Sequence, residues 1–217
     1  MVSSYVPDCW HVDSSLVRDA VGWEQLYRMR VVPWDQKVPT PALVDLVEKH
    51  WPTELPRGHT ALVPGCGTGH DVFYLAGRGY DAVGSDISAT AIARCKERAT
   101  VNGQTNVRFF TADFFKHAHE QQFDIVYDYA FFTSMPPSSQ EDWARICAEC
   151  TRPGGVFVAL MFPTDVTVGD GPPYVLSLDL YKRILEPYFE LVHDDPACPS
   201  GPGRIGRERM LVWRRRI

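Results

Sequence analysis

The sequence predicts an α/β protein with a doubly wound, mostly parallel sheet. Short apolar segments typical of strands alternate along the chain with segments of helical periodicity, as in such sheets. The glycine-rich turn Gly65-Cys66-Gly67-Thr68-Gly69 follows one predicted strand, and Asp86 follows the next. Glycine permits a sharp turn and close approach to a ligand because it lacks a Cβ atom. An acid about 20 residues beyond such a turn holds a ribose in nucleotide-binding folds. Together these features predict a nucleotide-type site at the carboxyl ends of the strands.

Length and composition are those of a single globular domain. The chain has 217 residues, of which 45% are hydrophobic and 23% charged. Its net charge of −5 disfavours a nucleic-acid binder, which usually carries a basic face. The longest apolar run, residues 156–162, is too short to span a membrane. Residues 1–13 carry no targeting pattern, so we expect a cytoplasmic protein without membrane or nucleic-acid partners.

Helical periodicity precedes the alternating part of the chain. We predict a helix from Ser14 or Ser15, with the serine as N-cap, and its end at Pro33. A second helix is predicted from residues 39–41 to residue 50. Residues 1–58 thus form a helical segment that either packs against the sheet edge or acts as a lid. Residues 59–217 form the main body, and the two parts make one structural domain.

The main body is predicted to contain seven strands and four helices. The strands cover residues 60–64, 80–85, 106–111, 123–129, 155–162, 189–193 and 207–213. The helices cover residues 69–76, 88–101, 139–150 and 177–185.

The glycine spacing separates two classes of ligand. A dinucleotide-binding loop has the pattern G-x-G-x-x-G. Here the third glycine comes one position early, and His70 stands where that motif has glycine. The pattern G-x-G-x-G followed by an acid resembles the S-adenosylmethionine (SAM) loop of Rossmann-like methyltransferases.

Residues at the ends of the first four strands suit the parts of SAM. The glycine turn offers backbone N–H groups to the carboxylate, and Asp86 can accept bonds from the ribose hydroxyls. Asp113 can accept from the adenine amino group, while Phe114 covers a ring face. A single aspartate at such a position is commonly a helix N-cap or a charge at the end of a loop. Three acids, Asp86, Asp113 and Asp128, together with Tyr129, at successive strand ends favour a binding site.

Aromatic residues are dense in the N-terminal segment. Trp23, Tyr27 and Trp34 can close over the positive sulfonium of SAM, which aromatic faces attract. They can equally pack the N-terminal helix into the core, and the sequence leaves both possibilities open.

The cysteines and histidines predict no metal site. Cys147 and Cys150 form a C-x-x-C within a predicted helix, and no second C-x-x-C supplies further zinc ligands. We interpret the two cysteines as residues of a partly buried helix face. His117 and His119 are interpreted as residues of a polar loop.

Several motifs make the chain similar to the halide/thiol methyltransferases, in the family that also contains the thiopurine methyltransferases. The resemblance runs from about Gly22 to Trp213. Its most specific strings are P-G-C-G-T-G-H-D at residues 64–71 and G-P-P-Y at residues 171–174. Further matches are G-W-E at 22–24, P-W-D-Q at 33–36, S-D-I-S at 85–88, A-D-F-F at 112–115, F-D at 123–124, Y-D-Y at 127–129 and G-R-E-R at 206–209. The resemblance implies a Rossmann-like, seven-stranded class I methyltransferase sheet with helices on both faces, an antiparallel last strand and an N-terminal lid.

The resemblance also implies site residues. SAM would contact Trp23, Tyr27, Trp34, Gly65, Gly67, Asp86, Asp113, Phe114 and Tyr129. Tyr27 stands where the plant members usually have a second tryptophan. Tyr174 would face the acceptor and is the predicted catalytic residue.

The activity implied is methyl transfer from SAM to a small anionic nucleophile, with S-adenosylhomocysteine as product. Halides, bisulfide, thiocyanate and small thiols are the expected acceptors, and the protein is expected to be a monomer or weak homodimer. The expected step is one in-line displacement that depends on alignment, because the sulfonium is already a strong electrophile. The sequence shows no Cys–His or Ser–His–Asp constellation, which agrees with this. A thiopurine or other aromatic or heterocyclic thiol as acceptor, and a non-catalytic SAM-binding module, stay open.

Overall fold

The computed structural model describes residues 12, 16–49, 60–116, 121–167, 169 and 171–217. They form a seven-stranded sheet in the order β3-β2-β1-β4-β5-β7-β6. The strands are β1 (Thr60–Pro64), β2 (Asp81–Asp86), β3 (Val107–Thr111), β4 (Phe123–Tyr129), β5 (Thr151–Met161), β6 (Phe189–Asp195) and β7 (Arg209–Arg215).

The helices are α1 (Ala20–Met29), α2 (Pro41–Lys49), α3 (His70–Gly77), α4 (Ala89–Val101), α5 (Gln140–Cys150) and α6 (Leu178–Leu185). Short 3-10 turns at Phe132–Ser134 and Pro137–Ser139 lie between β4 and α5. In the described part of the chain, no helix has the length and apolar character needed to cross a membrane.

Strand order and direction place the ligand site. β1 pairs in parallel with both β2 and β4, so the order of the strands reverses at β1. Ligands of such sheets bind outside the carboxyl ends of the strands at this reversal. β7 is antiparallel to both of its neighbours, β5 and β6. The predicted α/β class and the antiparallel last strand are therefore confirmed.

The strands and helices predicted for the main body are all present, with small shifts at their ends. The largest shift is in β5, which begins at Thr151 and not at Gly155. The Pro153-Gly154-Gly155 run is typical of a turn, which is why the predicted strand starts late. Instead Thr151 pairs with Phe123, and the register shifts before Ile125.

The predicted start of the first helix is wrong. α1 begins at Ala20, because the Asp19 carboxylate accepts a hydrogen bond of 2.8 Å from the Gly22 N–H and caps the helix there. Ser14 and Ser15 lie outside the described residues. α2 begins at Pro41, since proline suits the first helical position. Its predicted end at His50, like the predicted breaks at residues 52–58, lies outside the described residues.

Two apolar layers cover the two faces of the sheet. Successive strand residues point to opposite faces, so Ala61 and Val63 join one layer and Leu62 the other. The first layer includes residues of α2, α3 and α4, and the second includes residues of α5 and α6. Helices therefore lie on both faces of the sheet, as predicted.

Cys147 and Cys150 lie on α5, where both side chains are fully buried in the second layer. They are free thiols, as are Cys66, Cys95 and Cys198. The interpretation of this C-x-x-C as part of a buried helix face is confirmed. His117 and His119 lie outside the described residues.

Candidate active site

A cavity lies at the carboxyl ends of β1 to β4, between these strand ends and residues of the N-terminal segment. Among the predicted site residues, those on its wall are Trp23, Tyr27, Trp34, Gly65, Gly67, Asp86, Asp113, Phe114 and Tyr129. The fold thus brings together residues that are separated by up to about a hundred positions in sequence. Tyr174 is not among the lining residues.

The turn after β1 forms a cradle of bare backbone. Gly65, Gly67 and Gly69 have φ angles of 59°, 53° and 76°, which other residues rarely adopt. A Cβ atom on Gly65 would lie 2.4 Å from the Phe131 ring, and one on Gly67 would lie 2.7 Å from the Tyr27 hydroxyl. Because no side chain fits there, a ligand carboxylate can approach the main chain at the start of α3. The cradle therefore fits the amino-acid end of SAM.

Asp86, the last residue of β2, holds this turn in place. Its carboxylate oxygens accept hydrogen bonds of 2.9 Å from the N–H groups of Gly67 and Ser88. Burial raises the pKa of this carboxyl, although the backbone donors oppose the rise. The Ile87 N–H also donates to this carboxylate, which can accept about four hydrogen bonds in all and so retains capacity for a ligand hydroxyl.

Asp113 and Phe114 follow β3 on the same side of the cavity. The Asp113 carboxylate accepts from the Phe115 N–H at 3.0 Å and pairs with Lys116 at 2.8 Å. It therefore also stabilises the local turn, the alternative role considered for such an aspartate. The buried Phe114 ring meets Phe131 edge to face, with ring centroids 5.3 Å apart. This aromatic corner suits the adenine of SAM.

The N-terminal aromatic residues combine the two roles that the sequence left open. Tyr27 is buried, whereas Trp23 and Trp34 are half-buried at the cavity. The Trp34 indole N–H donates to the Tyr27 hydroxyl at 3.2 Å, and Trp23 packs edge-on against Trp34 with centroids 5.2 Å apart. Tyr27 therefore packs in the interior, while all three rings contribute to the cavity wall.

Polar bonds to α4 and to the glycine turn anchor the N-terminal segment, and sequence reasoning assigned none of them. Glu24 accepts bonds of 2.6 Å from the hydroxyls of both Ser88 and Thr90 at the start of α4. Asp35 accepts from the Thr68 hydroxyl at 2.9 Å and lies 3.5 Å from the His70 imidazole. The signal was present, because Glu24 and Asp35 belong to the G-W-E and P-W-D-Q strings.

A third anchor joins the start of α2 to α3. The Thr40 N–H and hydroxyl both donate to Asp71, at 2.8 and 3.2 Å. Burial raises the pKa of Asp71 to about 6, although the Thr40 donors oppose that rise. The Thr40 hydroxyl also bonds to the buried Tyr127 hydroxyl at 2.7 Å. The segment is therefore fixed on the cavity by side chains that are widely separated in sequence.

Tyr129 ends β4 with its hydroxyl engaged by protein groups. It donates to the Glu208 carboxylate at 2.8 Å and accepts from the Gln36 amide at 2.8 Å. Its contribution to the cavity is therefore the ring and not a free proton donor. Sequence reasoning gave no role to Gln36 or Glu208, although both lie in strings that carry the resemblance.

Tyr174 lies beside the cavity but does not line it. Its N–H donates to the Thr133 carbonyl at 2.7 Å, which ties its backbone to the turn after β4. Its ring packs against Gly171, where a Cβ atom would lie 2.4 Å from the ring. Its contact with the acceptor stays a prediction. That turn contributes Ser134 and Met135 to the cavity wall, two residues that sequence reasoning missed although they closely follow β4.

Comparisons with known proteins agree with this arrangement. The family model described as thiopurine S-methyltransferase (TPMT) matches residues 18–196. Among similar proteins, probable thiol methyltransferase 2 of Arabidopsis thaliana is 39% identical over 197 residues, which cover 89% of this chain and 84% of that protein. Thiocyanate methyltransferase 1 of Arabidopsis thaliana is 35% identical over 198 residues, with the same coverage of 89% and 84%.

Solved structures show the fold. The 1,6-didemethyltoxoflavin-N1-methyltransferase of Burkholderia thailandensis, crystallised with S-adenosylhomocysteine, superposes with a TM-score of 0.71 at 18% identity. The match covers 94% of this chain and 88% of that chain. The N-methyltransferase NodS of Bradyrhizobium japonicum, also in complex with S-adenosylhomocysteine, gives a TM-score of 0.65 at 16% identity, covering 80% and 83%. The class I methyltransferase sheet expected from the sequence is thereby confirmed.

Proposed function

Since the chain belongs to the thiopurine S-methyltransferase family and is a SAM-dependent methyltransferase, we propose that it methylates small anionic nucleophiles. The acceptors are halide ions, bisulfide, thiocyanate and small thiols. The products are methyl halides or methyl thioethers, together with S-adenosylhomocysteine. The two Arabidopsis relatives, named for thiol and thiocyanate methylation, support this class of acceptor.

In this proposal the β1–β3 side of the cavity holds SAM. The glycine turn receives the carboxylate, Asp86 the ribose hydroxyls, and Asp113 with Phe114 the adenine. Trp23, Tyr27, Trp34 and Tyr129 surround the sulfonium, which their aromatic faces favour. When bound, SAM supplies a methyl group on a positively charged sulfur. The fit of these residues supports the assignment.

The proposal rests chiefly on the chemistry of the β4 side of the cavity. The described residues that line it after β4 are Ala130, Phe131, Ser134 and Met135, and none carries a carboxylate or an imidazole. Tyr129 beside them donates its proton to Glu208. A nucleophile in this position therefore finds no general base within the described lining. An acceptor that is already an anion near neutral pH needs none.

The acidic and imidazole groups elsewhere on the wall are occupied. Asp86 accepts from Gly67 and Ser88, and Asp71 accepts from Thr40. His70 lies between Asp35 and the Arg98 guanidinium, at 3.5 and 3.1 Å. Desolvation and the Arg98 charge lower the His70 pKa, although Asp35 opposes this. These groups hold the wall together, and the contribution to rate comes from alignment of the reactants and exclusion of water.

A thiopurine or other heterocyclic thiol is the second candidate acceptor. The description of the matching family model favours it. Both classes of acceptor would use the same SAM site, so the two proposals differ only in the molecule bound on the β4 side of the cavity.

The dependence of rate on pH tests whether a base takes part. With iodide, kcat/KM should be flat between about pH 6.5 and 8.5, because the nucleophile has no proton. With a small thiol it should rise about tenfold per pH unit below the thiol pKa of about 8.5. Initial rates of S-adenosylhomocysteine formation provide the measurement. A thiol profile that levels off well below about pH 8.5, with iodide still flat, would reveal a titrating base and contradict the proposal.

We propose further that Tyr174 contributes to the acceptor side of the site. The variant Tyr174→Phe should change the KM for iodide and for the thiol by different factors while the Kd for SAM stays unchanged. Tyr188→Phe, at a half-buried tyrosine next to β6, is the matched control. Equal kinetics for wild type and Tyr174→Phe with both acceptors would remove Tyr174 from the site.

Three further parts complete the proposal. The net charge of −5 supports a protein that does not act on nucleic acid. The proposed place of action is the cytoplasm. We expect the enzyme to work as a monomer or weak homodimer.

A further inference from the structure

The loop before β7, residues 200–208, contacts the N-terminal segment directly. We call residues 200–208 the C-terminal loop and residues 20–40 the lid. Gln36 of the lid lies so close to Gly201 that a Cβ atom there would be 2.0 Å from the Gln36 Oε1 atom. The other end of the Gln36 amide donates to the Tyr129 hydroxyl. The loop, the lid and the cavity wall therefore meet at Gln36.

Arg204 makes a second contact between the loop and the lid. Its guanidinium donates to the Trp34 carbonyl at 2.7 Å, across 170 positions of sequence. The same group lies over two aromatic rings, 4.4 Å from the centroid of Phe162 and 5.1 Å from that of Tyr129. The residue is only 4% exposed. Arg204 thus joins the backbone of a lid tryptophan to a tyrosine of the cavity wall.

Glu208 completes the arrangement. Its carboxylate accepts from the Tyr129 hydroxyl at 2.8 Å and lies 3.9 Å from the Arg204 guanidinium. Both charged side chains are almost fully buried. A buried ion pair adds little net stability compared with apolar residues of similar size, because desolvation offsets the attraction. A role in fixing geometry explains the pair better than a role in stability.

We propose that the C-terminal loop is the surface against which the lid packs over the cavity, with Arg204 and Glu208 as positioning residues. We call this surface the seat of the lid. Through the Trp34 carbonyl and the Tyr129 hydroxyl, the pair sets the positions of two aromatic residues at the sulfonium end of the cavity. Loss of the seat releases the lid and weakens SAM retention, while the sheet stays folded. This inference rests on SAM dependence and not on the identity of the acceptor, so failure of the acceptor proposal leaves it standing.

Two variants test the seat without removing a buried charge. Gly201→Ala places a methyl group against the end of the Gln36 side chain, at a position that does not have a positive φ. Gln36→Ala removes the donor to Tyr129. The control is Gly77→Ala, at an exposed helix end where an added Cβ meets nothing within 4 Å. We expect both test variants to raise the SAM Kd about fivefold or more, as loss of one hydrogen bond does, with the control unchanged.

Arg204→Gln is the stronger test, with Arg209→Gln as its control for loss of one positive charge. Arg209 pairs with Asp194 on the sheet surface, with both bonds at 2.6 Å. Arg204→Gln should raise the SAM Kd further and should speed tryptic cleavage at the exposed lid residues Arg28, Arg30 and Lys37 in the presence of S-adenosylhomocysteine.

SAM affinity, lid cleavage and melting temperature together distinguish a role in positioning the lid from a general role in stability. The proposal expects a changed SAM Kd and faster lid cleavage, with melting temperatures of Gly201→Ala and Gln36→Ala within a few degrees of wild type. It is overturned if both of these variants bind SAM and resist trypsin like wild type. It is also overturned if the Kd changes only in parallel with general loss of folding. Should Arg204→Gln fail to fold, the two milder variants decide.

Discussion

Replacement of Asp86 by alanine is expected to lower kcat/KM for SAM by at least about a hundredfold. Asp86 is 7% exposed at the end of β2, where it lines the cavity and holds the Gly67 and Ser88 N–H groups. Alanine removes the proposed acceptor for the ribose hydroxyls. It also removes the acceptor of the Gly67 N–H, so the backbone of the glycine turn is no longer held in place. Hydrogen bonds to charged groups contribute about 1.5–3 kcal/mol each, and two of them account for a factor of this size.

Titration calorimetry with SAM and initial rates measure this effect. Asp81→Ala is the matched control, because Asp81 lies at the exposed start of the same strand and far from the cavity. We expect the control to bind SAM like wild type. If Asp86→Ala kept the wild-type Kd and kcat/KM while folded, the proposed position of the ribose would be wrong.

The largest expected effect on stability is that of Trp143→Ala. Trp143 is fully buried on α5, stacked on Phe132 with centroids 3.9 Å apart, and its indole N–H donates to Asp128 at 3.1 Å. Removal of such a side chain lowers the free energy of unfolding by about 3–5 kcal/mol. The Asp128 carboxylate also loses a donor in the interior, which adds to the cost. Urea unfolding followed by circular dichroism measures the change.

The variant Trp143→Phe separates packing from hydrogen bonding. It keeps an aromatic ring but removes the donor to Asp128, so we expect a cost of about 1–3 kcal/mol. Burial already raises the pKa of Asp128 to about 7. Because this pKa is higher in the folded than in the unfolded protein, the free energy of unfolding falls as the pH rises from about 4 through 7. Loss of a donor to the carboxylate raises the folded-state pKa further. The loss of unfolding free energy in Trp143→Phe should therefore be larger at pH 8 than at pH 5. A loss of unfolding free energy that is independent of pH would show that ionisation of Asp128 is not its cause.

The sequence predicted the main body well because its signals are local. Residues 60–64 and 123–129 are short segments rich in apolar residues, and they match β1 and β4 at both ends. Ser88 and Ser177 cap α4 and α6 through their side chains, one residue before each helix begins. The cavity residues could be grouped because each follows a strand, and the ends of parallel strands meet at one edge.

What could not be predicted depends on contacts between distant segments. Nothing local to Glu24 shows that it bonds to Ser88 and Thr90, 64 and 66 positions away. The start of α1 was placed too early because Ser14 and Ser15 are as good N-caps as Asp19 by residue type alone. Tyr174 shows the same limit, since its position in a loop after β5 says nothing of where its ring points.

Methyl transfer to an inorganic anion is the central claim, and headspace gas chromatography tests it most directly. The protein would be incubated with SAM and, in separate vials, iodide, bromide, chloride, bisulfide, thiocyanate or a thiopurine. We predict methyl iodide from iodide and methanethiol from bisulfide, each matched by S-adenosylhomocysteine and lost in Asp86→Ala. Turnover with the thiopurine alone, or SAM binding without product from any acceptor, would contradict the claim.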